Sequence, residues 1–213
     1  MTTTLLLIRH GETAWNAVRR LQGHLDIGLN DAGERQAAAL ARALRDAPLE
    51  AIVSSDLQRA MQTAGAVARL HDIPLHTDAA LRERGYGVFE GLLYSEIEAR
   101  YPEDFAAWQG RHIDAVMPHG ERFAESFRAF YARSIAAIGG WASRYEGRTI
   151  AIVAHGGVLE CAYRAATGMT LESPRDFQVK NASINRFTFD SGKLELTQWG
   201  DVEHLALALD DIV

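Results

Sequence analysis

Two histidines in this 213-residue chain share one local setting. His10 closes the apolar run Leu5-Leu6-Leu7-Ile8-Arg9-His10-Gly11, and His155 closes Ile150-Ala151-Ile152-Val153-Ala154-His155-Gly156. Arg9 precedes the first histidine, and Arg59 ends Ser54-Ser55-Asp56-Leu57-Gln58-Arg59, just after a third apolar run. Glu83 stands among arginines in Leu81-Arg82-Glu83-Arg84-Gly85-Tyr86-Gly87. Two imidazoles, several guanidinium groups and one carboxylate are the groups that phosphoryl transfer needs. Guanidinium forks bind phosphate oxygens in pairs. Positioned cations supply most of the catalysis, because the transferred group spreads its charge over three equatorial oxygens. A neutral imidazole is a competent nucleophile, and neighbouring Arg9 and Arg59 favour the neutral form. The leaving oxygen needs a proton, which a carboxylic acid supplies. Backbone N–H groups at the start of a helix beginning near Gly156 would add donors for an anion.

Competing chemistries find no pattern. The eight histidines fall at positions 10, 24, 71, 76, 112, 119, 155 and 204, without a His-x-His or His-x-x-x-His pair and without an aspartate cluster, so a metal site is not expected. No Gly-x-Ser-x-Gly elbow and no Gly-x-x-x-x-Gly-Lys phosphate loop is present. The single cysteine, Cys161, excludes an intrachain disulfide and reads as a buried thiol in an apolar stretch. A formal net charge of −6 argues against nucleic acid and anionic membranes as partners, so an anionic ligand requires a local cluster of cations. Met1-Thr2-Thr3-Thr4 carries no basic region and no apolar run reaches membrane-spanning length, so the expected location is cytoplasmic.

The elements that must position these groups follow a strand–helix rhythm. Apolar strands at Leu5-Leu6-Leu7-Ile8, Ala51-Ile52-Val53-Ser54-Ser55 and Thr149-Ile150-Ala151-Ile152-Val153-Ala154 alternate with helices over 31–46, 56–70 and 158–167. Asn30 or Asp31 caps the first of these helices, Ser55 or Asp56 the second, and Gly168 stops the third. A long helix over 121–145 precedes the last parallel strand, with Gly139-Gly140 as a point of interruption. Alternation over 183–189 and 194–198 around Asp190-Ser191-Gly192-Lys193 predicts an edge hairpin. The fold class is therefore α/β: a mostly parallel sheet flanked by helices on both faces, with a C-terminal edge hairpin. In such a sheet both histidines emerge at the carboxyl edge, where open α/β folds keep their sites. Residues 73–120, broken by glycines and prolines, read as an inserted cap or lid with short helices over 95–100 and 103–109, inside one domain spanning 1–213.

These residues resemble a known family. Leu7-Ile8-Arg9-His10-Gly11-Glu12-Thr13-Ala14-Trp15-Asn16, then Gln22-Gly23, Ser54-Ser55-Asp56-Leu57-Gln58-Arg59-Ala60, the Glu83 segment and Ala154-His155-Gly156-Gly157 are similar, in order, to the motifs of the histidine phosphatase superfamily, the phosphoglycerate mutase-like proteins. The resemblance implies His10 as the nucleophile that becomes phosphohistidine, with Arg9, Arg59 and His155 holding phosphoryl oxygens. It implies Glu83 as proton donor and later as base for water. Asn16, Gln22, Gly23 and Gly156 would line the phosphate and substrate side, and Arg84 and Tyr86 would contact substrate. It implies no metal and no organic cofactor.

Within that resemblance, a phosphatase branch is expected, acting on a small phosphorylated metabolite: phosphate, a sugar phosphate or a phosphorylated carboxylate. The chain is short before its second histidine, and Gly91-Leu92-Leu93-Tyr94 offers tyrosine where the cofactor-dependent mutases usually carry lysine. A mutase remains the alternative, followed by an inactive phosphoprotein-binding module. Arg111, His112 and the segment Pro118-His119-Gly120-Glu121-Arg122 make the cap basic, which predicts a substrate with a second anionic group. The apolar tail over 205–213 packs on the domain or on a partner, and a homodimer is compatible with the sequence.

Overall fold

The structure of the protein, a computed structural model, describes residues 1–210, with side chains through residue 206. Of the tail over 205–213, residues 205–210 belong to the last helix and 211–213 lie outside the described residues. The strands are β1 (Thr3–Arg9), β2 (Leu49–Ser54), β3 (Leu75–Thr77), β4 (Thr149–Ala154), β5 (Ile184–Asp190) and β6 (Lys193–Asp201). They form one sheet in the order β3-β2-β4-β1-β5-β6. The first four are parallel, and β5 and β6 add an antiparallel edge hairpin whose turn, Ser191-Gly192, has both φ angles positive. The helices are α1 (Ala14–Ala17), α2 (Asp31–Leu44), α3 (Gln58–Ala68), α4 (Tyr94–Arg100), α5 (Pro102–Gln109), α6 (Phe127–Arg144), α7 (Gly156–Thr167) and α8 (Glu203–Asp210).

Strand periodicity sorts the core into two layers. Leu5, Leu7, Val53, Ile150, Ile152 and Ala154 face α6 and α7, where Phe130, Ile138, Val158 and Leu159 close the layer. Leu6, Ile8, Ile52, Ala151 and Val153 face the opposite side, against Ala37, Leu40 and Leu44 of α2 and Ala60, Ala64 and Val67 of α3. The alanines let α2 and α3 lie close to the sheet. Asn30 caps α2, its side chain accepting from the Gly33 N–H at 2.8 Å.

Four sequence expectations are corrected. The α3 start is capped neither by Ser55 nor by Asp56 in the expected way. Asp26, from the loop before α2, accepts from the Gln58 N–H at 2.7 Å, while the Asp56 carboxylate is occupied by the Arg82 fork at 2.7 and 2.6 Å. Helix α6 starts at Phe127 rather than 121, because Ser126 caps it, and it runs through Gly139-Gly140 without interruption. The region 73–120 is not loose throughout. It begins with β3, a parallel edge strand on β2, and carries its own small core of Leu21, Phe89, Ile97 and Met117. Helix α7 starts at Gly156, two residues earlier than expected, which places two glycine N–H groups in its first turn.

One close approach ties the strand end to this scaffold. Gly11, next to His10, and Gly33, in the first turn of α2, cross backbone to backbone. A Cβ on Gly11 would lie 2.6 Å from the Gly33 carbonyl oxygen, and one on Gly33 would lie 2.8 Å from the Glu12 nitrogen. The Gly11 N–H donates to Thr63 Oγ1 of α3 at 3.0 Å. Gly33→Ala is therefore expected to cost about 1–3 kcal/mol, as overpacking does, and to lower turnover by displacing the His10 segment. Urea unfolding and steady-state kinetics check this; a variant as stable and active as the parent would show that the segment shifts freely off α2.

Candidate functional site

Sheet register brings the two histidines side by side. β1 pairs with β4 so that Arg9 lies opposite Ala154, and His10 and His155 are the next residues on each strand. Their ring centroids are 5.2 Å apart, tilted by 58°. Both are buried. His10 Nδ1 lies 2.7 Å from the Gly11 carbonyl oxygen. A carbonyl only accepts, so Nδ1 carries the proton and Nε2 keeps its lone pair. His155 Nε2 meets Ser55 Oγ at 2.8 Å, and its Nδ1 is buried without a partner. Burial lowers the pKa of His10 well below the ordinary imidazole value, and the Arg59 and Arg9 charges push the same way. The His155 pKa is lowered by burial first, then by Arg59, His10 and Arg9.

Arg59 projects from the first turn of α3 and is 1% exposed. Its Nη2 donates to the Gly23 carbonyl at 2.8 Å and its Nη1 to the Leu25 carbonyl at 2.9 Å, while Nε is unpartnered. Burial lowers its pKa to about 10, so it stays a cation at neutral pH. Arg9 donates from Nη1 to the Val179 carbonyl at 2.5 Å and likewise leaves Nε free. Glu83 has both oxygens engaged: Oε1 accepts from the Arg84 N–H at 2.8 Å and Oε2 from the Gly157 N–H of α7 at 3.0 Å. Its main-chain carbonyl accepts from His24 Nε2 at 2.8 Å and from Arg133 Nη2 at 3.3 Å.

A cavity of about 630 Å³ opens over these groups, and Arg9, His10, Asn16, Gln22, Gly23, Arg59, Glu83, Tyr86 and Gly156 all line it. Asn16 also completes the capping box of α1, accepting from the Thr13 N–H at 3.1 Å, and Gln22 accepts from Thr13 Oγ1 at 3.0 Å. His155 stands behind the wall, against His10. Arg84 is not brought to this cavity: its guanidinium is buried, donates to the Glu125 and Ala115 carbonyls at 3.0 and 3.1 Å, and lines a second cavity of about 70 Å³. The cap cations singled out from sequence are also elsewhere. Arg111 pairs with Glu160 at 2.5 Å, Arg122 donates to the Glu90 carbonyl, and His112 lines the small cavity.

The cavity wall also holds Trp15 of the first motif and Tyr94, and it adds residues that sequence reasoning missed: Arg19, Arg20, Glu160 and Arg175. Only the Arg19-Arg20 doublet, soon after the first motif, gave a signal; nothing local marks Arg175, which arrives from the loop between α7 and β5. Five arginines and two carboxylates, Glu83 and Glu160, thus face one cavity in a chain whose formal charge is −6. Such an excess of positive charge attracts anions. Among the described residues no three His, Cys, Asp or Glu side chains gather as a metal-holding group, and no helix is long and apolar enough to cross a membrane.

Known proteins share both sequence and fold with this chain. Residues 5–202 match the histidine phosphatase superfamily (branch 1) profile. Phosphoglycerate mutase-like protein 4 of Arabidopsis thaliana is 37% identical over 204 residues, covering 94% of this chain and 86% of that protein. The metal-independent phosphoserine phosphatase of Arabidopsis thaliana is 35% identical over 207 residues, covering 96% and 84%. Among solved structures, Bacillus stearothermophilus YhfR superposes with a TM-score of 0.86 at 35% identity, covering 95% of this chain and 99% of that one. The protein belongs to branch 1 of the histidine phosphatase superfamily.

Proposed function

We propose that this protein is a metal-independent phosphomonoester hydrolase that works on a small phosphorylated metabolite in the cytoplasm, with His10 as nucleophile and with residues 73–120 forming the cap of a single domain. The observation that carries the reading is the state of His10: a buried imidazole whose Nδ1–H donates to the Gly11 carbonyl and whose Nε2 is free, beside a cavity walled by arginines. The substrate phosphoryl group sits against the free Nε donors of Arg9 and Arg59 and the N–H groups opening α7. With Ser55 donating its hydroxyl proton to His155 Nε2, the unpartnered His155 Nδ1–H adds a further donor.

His10 Nε2 forms the bond to phosphorus as the phosphorus–oxygen bond to the leaving group breaks. Glu83 passes its proton to that leaving oxygen. The resulting phosphohistidine keeps its Nδ1–H bonded to the Gly11 carbonyl. In the second half, Glu83 as carboxylate takes a proton from water while the water oxygen attacks phosphorus; the bond to Nε2 breaks, and phosphate and neutral His10 are released. Asn16, Gln22, Gly23, Tyr86 and Gly156 shape the cavity around the substrate, whereas Arg84 supports Tyr86 from behind, its guanidinium 5.4 Å over that ring.

A mutase outcome is the second reading, favoured by the 37% identity to the mutase-like protein. It requires the phosphohistidine to be kept from water. Tyr94 and Arg175 on the cavity wall stay exposed to solvent, which supports hydrolysis.

Incubation with a labelled phosphomonoester should give an acid-labile, base-stable phosphoenzyme, and His10→Ala should form none and lose at least about 10³-fold in kcat. A His10→Ala protein that hydrolyses as fast as the parent would overturn the nucleophile assignment. Glu83→Gln is expected to lose roughly 10²–10⁴-fold with alkyl phosphates and much less with p-nitrophenyl phosphate, whose leaving group needs little help from an acid; equal losses would remove Glu83 from the donor role.

Stability should depend on pH through the buried histidines. His10 and His155 have folded pKa values below the unfolded value of about 6.5, so below that pH the unfolded chain binds protons that the folded chain refuses. Their contribution is complete above pH 6.5 and lost as pH falls toward the folded values, at up to about 1.4 kcal/mol per pH unit for each histidine. Urea unfolding at pH 7.5, 6.5 and 5.5 reads this, and His10→Asn should flatten the slope; a parent profile flat down to pH 5.5 would contradict burial of neutral imidazoles.

A further inference from the structure

We propose that Arg133 of α6, paired with Glu125, is a positioning residue for Glu83: it holds the loop that carries this acid so that the carboxyl meets the leaving oxygen. This rests on the hydrolase reading above, with Glu83 as proton donor, and gives α6 a part in the transfer step.

Glu83 needs outside support because neither a strand ladder nor a helix fixes it. His10 and His155 end paired strands and Arg59 lies in the first turn of α3. Residues 82–85, by contrast, follow one turn of helix at Ala79–Leu81 and have no regular structure. The main-chain groups of such a segment need partners from elsewhere. Arg133 supplies them with its whole guanidinium. Nη1 donates to the Ala80 carbonyl at 2.8 Å and to the Arg82 carbonyl at 3.1 Å, and Nη2 donates to the Glu83 carbonyl at 3.3 Å. The remaining donors go to Glu125: Nη2 to Oε1 at 2.5 Å and Nε to Oε2 at 3.3 Å. A planar fork with every N–H engaged fixes its acceptors in place, which a flexible ammonium does not do.

Glu125 carries the hold past the acid. Its Oε1 also accepts from the Gly85 N–H at 3.2 Å, its main-chain N–H donates to the Gly85 carbonyl at 3.1 Å, and its carbonyl accepts from Arg84 Nε at 3.0 Å. The pair thus grips the chain from 80 to 85. The side chain of Glu83 is reached from the same helix. Arg133 lies over the Phe130 ring, 5.1 Å from its centroid and three residues along α6. That ring packs against Gly157, where a Cβ would lie 2.9 Å from it, and the Gly157 N–H binds Glu83 Oε2. One face of α6 therefore sets both the main chain of the acid and the donor to its carboxylate.

Neither Arg133 nor Glu125 is among the described residues that line the two cavities, so their effect on turnover passes through the loop they hold. Glu125 is buried and Arg133 largely so. A buried ion pair often gives no more stability than an apolar pair of the same volume. What this pair adds is a fixed geometry. Proton transfer is sensitive to that geometry: a shift of about 1 Å in a positioned group can cost on the order of 10²-fold.

The test reads kcat/KM, which reports only the steps up to the phosphohistidine. An alkyl phosphate that the parent hydrolyses needs the acid, and p-nitrophenyl phosphate hardly does. The ratio of their kcat/KM values therefore reads proton donation within one protein. Arg133→Gln should lower that ratio about tenfold or more relative to the parent. Glu125→Gln, and Arg133→Lys, which keeps a cation beside Glu125, should lower it by less, and they carry the test if Arg133→Gln does not fold. In a Glu83→Gln background Arg133→Gln should leave the ratio unchanged within about threefold, because the group it positions is gone. A general loosening would depress both substrates together. Folded variants that keep the parent ratio in this way, while Glu83→Gln lowers it, would overturn the positioning role alone. Equal losses on the two substrates in Glu83→Gln would remove the donor reading and this role with it, as would a parent inactive on every phosphomonoester.

Discussion

Arg59 is a buried cation held by main-chain carbonyls instead of by a carboxylate, and the rest of the site depends on that choice. An ion pair would have neutralised the guanidinium; the Gly23 and Leu25 carbonyls stabilise it while leaving its charge available. The uncancelled charge does three things at once. It adds to burial in favouring neutral His10 and His155, it leaves its Nε without a partner, and it joins Arg9 in making one edge of an acidic protein positive. The loop after α1 is shaped for this purpose. Gly23 takes φ of +54°, and a side chain there would run into the Glu90 carboxylate, so the carbonyl can turn toward Arg59 only because the residue is glycine. Asp26, a few residues on, then caps the helix that carries Arg59.

Glu83 is fixed from two sides. Its carboxylate is bound to the N–H of Gly157, in the first turn of the helix that follows His155, so acid and histidine are set by the same strand–helix junction. A side chain at Gly157 would press on the Phe130 ring, about which the junction is packed. The Glu83 main chain is held by His24 and by Arg133, which also bridges to the Ala80 and Arg82 carbonyls and to Glu125 at 2.5 Å. His24 in turn donates its N–H to Glu90, a buried carboxylate that also receives the Tyr86 N–H. The segment carrying Glu83 and Tyr86 is thus tied to the loop after α1 and to α6 through main-chain groups.

The parts of this arrangement that were legible in the sequence are those written locally. Continuous apolar runs give three of the parallel strands, alternation gives the edge hairpin, and the repeated strand–histidine–glycine junction gives His10 and His155, because parallel register must deliver both to one edge. What escaped is what depends on contacts distant in sequence. β3 is too short and too polar to signal itself, and exists because β2 offers it an edge. The cap of α3 comes from Asp26 because Arg82 has taken Asp56. Arg111 and Arg122 have the composition of substrate ligands, but their partners, Glu160 and the Glu90 carbonyl, are spatial neighbours that no local pattern reveals. Arg84 is turned away from the main cavity by carbonyls of 115 and 125 for the same reason.

These contacts also bear on where the phosphoryl group goes after His10. Return to a substrate demands a wall that excludes water while one molecule turns or is exchanged. Here the far wall is made of Arg19, Tyr94 and Arg175, all substantially exposed, with the first two on segments joined by the Arg20–Leu93 backbone bridge. The half at the sheet edge holds the buried His10, Arg59 and His155, each with at least one hydrogen bond; the half that would have to seal is polar and open. On the mechanism proposed above, a phosphohistidine in such a cavity is open to solvent on one side, with the Glu83 carboxylate lining the same cavity. On that mechanism the asymmetry favours hydrolysis over return of the phosphoryl group to a substrate.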